Sequence, residues 1–247
     1  MKLLDKTAIV TGGGRDIGQA CALALAAAGA RVAINYFSSD AGANETVSEI
    51  KDQGGQAFAL QGDLSSEDDV SALVAKTVET FGGVDILVNN AGGLIARKTI
   101  AEMPLSHWQT VMDLNLTSTF LMVRACVPHM KQGAIINLAS QAGRDGGGPG
   151  AVAYAASKGA VMTMTRGLAK ELGPNIRVNA LCPGMIDTDF HNVFTKDEVR
   201  RNVETATPLK RQGTPEDIGN LVTYLAGDGA AFITGTNIDI NGGLLFS

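Results

Sequence analysis

Ala8-Ile9-Val10-Thr11-Gly12-Gly13-Gly14-Arg15-Asp16-Ile17-Gly18 begins as an apolar run and turns through glycines into a helical pattern. The run is short and uncharged, as a strand covered on both faces must be. The helix predicted over 17–28 stops at Gly29, a residue suited to the left-handed position beyond a helix end. A strand joined to a helix by glycines is the first unit of an alternating fold. It is also a place for a pyrophosphate, because glycines permit close backbone approach and the helix start offers unpaired N–H groups and a positive dipole end. The strict G-x-G-x-x-G spacing is not kept, since position 17 is isoleucine.

Outward from this turn the alternation continues. Strand-like runs at 31–35, 57–61, 86–88, 134–138, 177–181 and 237–240 are separated by helical patterns at about 41–51, 67–81, 106–131 and 153–172. Ser66 with Asp69 resembles a capping box, and Pro128 marks a bend or break in the long pattern. Thr214-Pro215-Glu216-Asp217 supplies an N-cap, a proline at the first helical position and an acid two further on. The order predicts an α/β fold: a Rossmann-type, doubly wound parallel sheet of about seven strands with helices on both faces. No linker or repeat divides residues 1–247, so one domain is expected, with the long irregular stretch at about 183–210 read as a substrate lid.

Composition narrows the function. The chain has 247 residues, 45% hydrophobic and 18% charged, enough for a large core without disulfide or metal staples. A net charge of -5 with no Lys/Arg run argues against a nucleic-acid partner. Cys21, Cys126 and Cys182 lack zinc spacing, so no metal is called for. With neither a secretory leader pattern nor an 18-residue apolar run, the expectation is no membrane partner and a cytoplasmic location.

Nicotinamide sites for NAD usually carry an acid at the end of the second strand, which bonds the ribose 2′-hydroxyl. Here that stretch reads Asn35-Tyr36-Phe37-Ser38-Ser39, without one. Its absence permits a 2′-phosphate, which Arg15 could pair with bidentately. The expected cofactor is NADP(H), with NAD(H) possible. Gly12, Gly14, Arg15, Asp16, Ile17, Asn35, Tyr36 and Ser38 make up this part of the expected site.

Tyr154 and Lys158 lie four apart at a helix start and share a face. A nearby ammonium should lower the phenol's pKa, making it a general acid/base. Such a pair is common by itself. With its companions, it makes the chain resemble the short-chain dehydrogenase/reductase family over essentially its full length. The resemblance rests on Thr11 to Gly18, Asp63, Asn89-Asn90-Ala91-Gly92, Asn115, Ser140, Tyr154-Ala155-Ala156-Ser157-Lys158, and Pro183-Gly184 followed by Thr188.

The resemblance implies hydride transfer between a nicotinamide cofactor and a carbonyl or alcohol. Tyr154 would be the acid/base, Lys158 would lower its pKa and bond the nicotinamide ribose, and Ser140 would orient the carbonyl. Asn115 would hold a water in a proton relay. Asp63, with Leu64 beside it, would meet the adenine. Asn90, Ala91 and Gly92 would line the cleft with Pro183 and Gly184, and Ile186 and Thr188 would hold the carboxamide. The family's second turn glycine is Asp16 here, a residue that tolerates a left-handed backbone better than most. A homotetramer is implied too, with the apolar tail 243–246 suited to an interface or an intrachain contact.

The segments 93–98, 141–150 and 189–194 are expected to line the substrate pocket. Arg97, Lys98, Arg144 and His191, with Gln141, suit a small anionic carbonyl substrate. Together these segments resemble the reductases of alginate breakdown, which reduce 4-deoxy-L-erythro-5-hexoseulose uronate to 2-keto-3-deoxygluconate. A 3-oxoacyl-carrier-protein reductase and a sugar or gluconate dehydrogenase are the alternatives. A cofactor-binding regulator without turnover would be expected to have lost part of the Asn115, Ser140, Tyr154, Lys158 set, and all four are present.

Overall fold

The computed structural model describes residues 3–246. Its first unit is β1 (Thr7–Val10), the glycine turn and α1 (Asp16–Ala27). Then come β2 (Arg31–Tyr36), α2 (Asp40–Asp52), β3 (Ala57–Gln61), α3 (Glu67–Phe81), β4 (Ile86–Asn89), α4 (Leu105–Met112) and α5 (Ser118–Cys126). The second half carries β5 (Gly133–Leu138), α6 (Ala142–Asp145), α7 (Val152–Leu172), β6 (Ile176–Pro183), α8 (Asp189–Phe194), α9 (Asp197–Ala206), α10 (Pro215–Ala226) and β7 (Asn237–Ile240). The strands form one seven-stranded sheet in the order β3-β2-β1-β4-β5-β6-β7, every neighbouring pair parallel.

The two-residue period of the strands builds a core on each face of the sheet. Ala8 and Val10 point to the side where Cys21 and Leu25 of α1 pack with Ile218 and Val222 of α10. Ile9 points to the other side, against Val70 and Val74 of α3 and Leu121 and Met122 of α5. This double cover is why the strands read as unbroken apolar runs. Strand order reverses between β1 and β4. The crevice beyond the carboxyl ends of those strands is where such sheets hold ligands.

Three expectations need correction. The pattern at 106–131 is not one helix: α4 passes through a π turn at Asp113–Thr117 into α5, and a 3₁₀ turn at Val127–His129 follows. Pro128 marks only the second break. At the first, Asn115 Nδ2 donates to the carbonyl of Val111 (2.8 Å), occupying a main-chain acceptor. The stretch 183–210 is not irregular, because it carries α8 and α9. Both are short, and α9 begins Asp197-Glu198 in a strongly polar stretch, so few apolar residues announce them. Ser66 caps α3, but Asp69 turns its carboxylate to the N–H of Asp63 (2.7 Å), leaving the box half formed. The Thr214/Asp217 box at α10 is complete.

A buried polar seam seats α7, the helix of Tyr154 and Lys158, against the sheet. Asn89 Nδ2 donates to Asn137 Oδ1 (2.9 Å), and Asn137 Nδ2 donates to Thr165 Oγ1 (2.9 Å). Asn89 and Asn137 are register partners on β4 and β5, so the seam crosses the sheet and then climbs to the helix. Asn137→Ala strands the amide of Asn89 and takes one of two bonds from Thr165; it is expected to cost about 1–3 kcal/mol, measured as a fall in the urea midpoint with an unchanged m-value.

Candidate active site

The crevice at the reversal point is a cleft of about 540 Å³. One wall is the glycine turn, with Gly12, Gly14, Arg15, Asp16, Ile17 and Gly18 along it. A Cβ at Gly18 would sit 2.1 Å from the carbonyl oxygen of Gly12, so the turn closes only on glycine. Gly12 has φ +62, and no side chain caps the start of α1, leaving its first N–H groups for a ligand. This glycine-lined cradle at an uncapped helix start fits a dinucleotide pyrophosphate.

The turn is locked to the segment after β4. Thr11 Oγ1 accepts from the N–H of Asn90 (2.9 Å) and of Ala91 (3.0 Å). Asn90 Nδ2 donates back to the carbonyls of Thr11 (3.0 Å) and Gly12 (3.1 Å). Thr11 thus holds two segments of the site. Sequence reasoning placed it in the turn but gave it no role; its spacing from the Asn-Asn-Ala-Gly stretch was the available signal.

Most predicted cofactor residues meet in this cleft: Ala91, Gly92, Tyr36, Ser38, Pro183, Gly184, Ile186 and Thr188 line it with the turn. Three do not. Asn35 is buried behind the turn, donating to Gly62 O (3.0 Å) and accepting from the N–H of Gly12 (3.5 Å). Asp63 spends Oδ1 on the N–H and hydroxyl of Ser65 (2.9 and 2.7 Å), and Leu64 is core. The wall after β2 carries no carboxylate, as read; Asp40 beyond it takes the Tyr36 hydroxyl (2.6 Å). Arg15 is not free: its guanidinium lies 3.6 Å from Asp189 and 4.0 Å from Asp16.

Deeper in, Ser140 follows β5 and hydrogen-bonds the phenol of Tyr154. Lys158, one turn along α7, lies 5.8 Å from the Tyr154 ring centroid and donates to Leu138 O (2.6 Å). The expected lowering of the phenol's pKa is reversed. Burial raises it, with the Ser140 bond pulling the other way. Burial also pulls Lys158 down to about 8. Both groups have lost water, and that cost dominates.

Asn115 is wholly buried in the π turn. Its Nδ2 hydrogens go to Gly93 O (2.9 Å) and Val111 O (2.8 Å), while Oδ1 takes the N–H of Gly93 (3.0 Å). The side chain therefore braces the Gly92–Gly93 loop and keeps no free hydrogen for a water.

The substrate candidates separate. Gln141 lines the cleft with Nε2 on Asp145 (2.9 Å) and a buried, unpartnered Oε1. His191 lines it too, but burial and the charges of Arg200 and Arg97 bring its pKa to about 4, so it is neutral at ordinary pH. Arg144 turns away from the cleft. Its Nε meets Asp239 (2.5 Å) and its Nη2 the carbonyl of Asn237 (2.6 Å), tying the loop after Ser140 to β7. Buried with an acid within reach, it cannot serve a substrate carboxylate. Arg97 remains in the lining, braced on Phe194 O (3.2 Å) and Pro149 O (2.9 Å). Phe190, not picked out as a site residue from the sequence, covers Tyr154 with ring centroids 5.9 Å apart.

Among the described residues no helix is long and apolar enough to cross a membrane, and no three His, Cys, Asp or Glu side chains gather as a metal site.

Comparison with known proteins agrees with this geometry. A family model described as enoyl-(acyl carrier protein) reductase matches residues 12–245. A 3-oxoacyl-[acyl-carrier-protein] reductase of Synechocystis sp. is 41% identical over 249 residues, covering 98% of each chain. A blue fluorescent protein from a metagenomic library, solved with NADPH, superposes with TM-score 0.93 at 35% identity over 100% of both chains. A 7α-hydroxysteroid dehydrogenase solved with NADH and 7-oxo glycochenodeoxycholic acid gives TM-score 0.93 at 36% identity, covering 98% of this chain and 95% of its own.

The buried lysine has a consequence for stability. Its folded pKa of about 8 lies below the ordinary lysine value of 10.5, so the unfolded chain holds the extra proton between them. Stability then rises with pH through that window. Lys158→Met removes the effect. Its unfolding free energy relative to the wild type is expected to fall by up to about 3 kcal/mol from pH 7 to pH 10.5, read from urea unfolding of both proteins.

Proposed function

The chain belongs to the short-chain dehydrogenase/reductase family, and from that premise we propose that it reduces a 3-oxoacyl thioester with a nicotinamide cofactor. The observation that carries the chemistry is the meeting of Ser140, Tyr154 and Lys158 with the glycine turn in one cleft. When bound, the nicotinamide supplies the hydride that reaches the carbonyl carbon. Tyr154 gives its phenol proton to the carbonyl oxygen. Ser140 hydrogen-bonds the same oxygen and fixes its place beside the phenol. Lys158 stabilises the phenolate that remains. The start of α1 and the turn glycines would hold the pyrophosphate, and Ile186 and Thr188 the carboxamide.

The thioester reading is supported by the Synechocystis relative and by the apolar lining from Leu94, Leu114, Phe190, Val203 and Leu244. It is also supported by the engagement of Arg144 with Asp239, which withdraws the cation best placed in the sequence for a sugar acid. A second reading, reduction of an alginate-derived uronate aldehyde, keeps one observation in its favour. Arg97 lines the cleft and has no acidic partner among the described residues. Purified protein given reduced cofactor with acetoacetyl thioester or with the uronate decides between them by loss of nicotinamide absorbance. The thioester is expected to turn over faster, and Tyr154→Phe to lose at least about 100-fold. A faster uronate overturns the thioester reading.

For the cofactor, NADP(H) is the reading supported by the acid-free wall and by Arg15. The carboxylates of Asp16 and Asp189 compete with a 2′-phosphate for that guanidinium. Arg15→Ala is expected to weaken NADPH about tenfold, as loss of a charge-assisted bond would, and to leave NADH nearly unchanged in fluorescence titrations. An equal effect on both removes Arg15 as the phosphate ligand.

A further inference from the structure

Asp16 stands where the family has its second turn glycine, and it holds a left-handed backbone at φ +50. That conformation disfavours a side chain. The side chain is nonetheless used: Asp16 Oδ1 accepts from the N–H of Asp189 (3.2 Å), across 173 residues of chain. Asp189 is the first residue of α8. Arg15 sits between the two acids, 3.6 Å from Asp189 and 4.0 Å from Asp16, offsetting the repulsion between them. The glycine turn, which cradles the expected pyrophosphate, is therefore tied to the helix that covers the catalytic phenol.

The rest of α8 shows what this tie controls. Phe190 packs on Tyr154, and Phe194 gives its carbonyl to Arg97 (3.2 Å). Asn192 accepts from Arg200 (2.5 Å) and donates to Asp189 (3.2 Å). Among the described residues, the bonds of this helix to Asp16 and Arg15 are the ones that cross to the cofactor wall.

We propose that Asp16 is a positioning residue that latches the α8 lid to the glycine turn, so that a bound dinucleotide leaves only after the Asp16–Asp189 bond opens. This rests on the cofactor reading above. The latch sets the rate of lid opening and so the residence time of the dinucleotide. It works at the expense of backbone strain that glycine would relieve.

The strain makes the test discriminating. Asp16→Gly removes both latch and strain, while Asp16→Asn keeps an oxygen acceptor on a residue that tolerates the left-handed region. Hydrogen exchange of the free protein is read over residues 189–194, and NADPH release is timed by displacement in stopped-flow fluorescence. In Asp16→Gly both are expected to quicken about fivefold, as the loss of one ordinary side-chain hydrogen bond would produce, with the melting temperature unchanged or higher. Asp16→Asn is expected to behave as the wild type in both. Lid exchange in Asp16→Gly equal to the wild type overturns the latch, as does an Asp16→Asn protein as fast as Asp16→Gly. If the wild type shows no signal with NADPH or NADH, the cofactor reading fails, and the exchange measurement still decides the latch.

Discussion

The site depends on one close approach. The carbonyl of Gly12 lies where a Cβ on Gly18 would be, 2.1 Å away. Because nothing stands between them, β1 can turn straight into α1 at the point where strand order reverses. That brings uncapped N–H groups to the mouth of a crevice already walled by β4 and β5. Asn90 and Thr11 then fasten the loop after β4 to the same turn, so the two halves of the cleft are fixed relative to each other. An added methyl at position 18 would push against backbone on a turn that has nowhere to move.

The acid–base pair is held by burial rather than by mutual charge. Lys158 is 4% exposed, with a main-chain carbonyl and no carboxylate as its hydrogen-bonding partner. Its proton is therefore held loosely, while the Tyr154 phenol keeps its own. A protonated phenol is the state that reduction requires, and the lysine cation matters only once the phenol has given its proton away. The polar seam through Asn89, Asn137 and Thr165 seats α7 on the sheet, and Asn115 stiffens the facing loop.

The fold was legible in the sequence because the central strands are buried on both faces and each major helix carries a stop or cap: Gly29, Gly54, the Thr214 box. The meeting of Ser140, Tyr154 and Lys158 was legible because they hold fixed places just after a strand end and on one helix face. The π turn was not, since a side chain bonding back to a carbonyl leaves no mark on hydrophobic period. Helices α8 and α9 were missed because they bury little and so repeat few apolar residues. The local partners of Arg144 and Asp63 were not legible for another reason. Sequence shows a charge without showing which neighbour it meets, and Asp239 and Ser65 claim these two locally.

Charge pairing also shows how α8 touches the two ends of the cleft. Arg15 is matched by Asp189 and Asp16, and Arg144 by Asp239, while Arg97 is braced by carbonyls. One of those carbonyls belongs to Phe194, at the far end of the helix that Asp189 begins. A single short helix thus touches the cofactor wall through Asp189, the phenol through Phe190 and the substrate loops through Phe194. An anion that drew Arg97 out of its brace would loosen the substrate end, and a phosphate that drew Arg15 from Asp189 would loosen the cofactor end. Both ligands would act on the same six residues, so each would change the free energy of binding the other by the same amount.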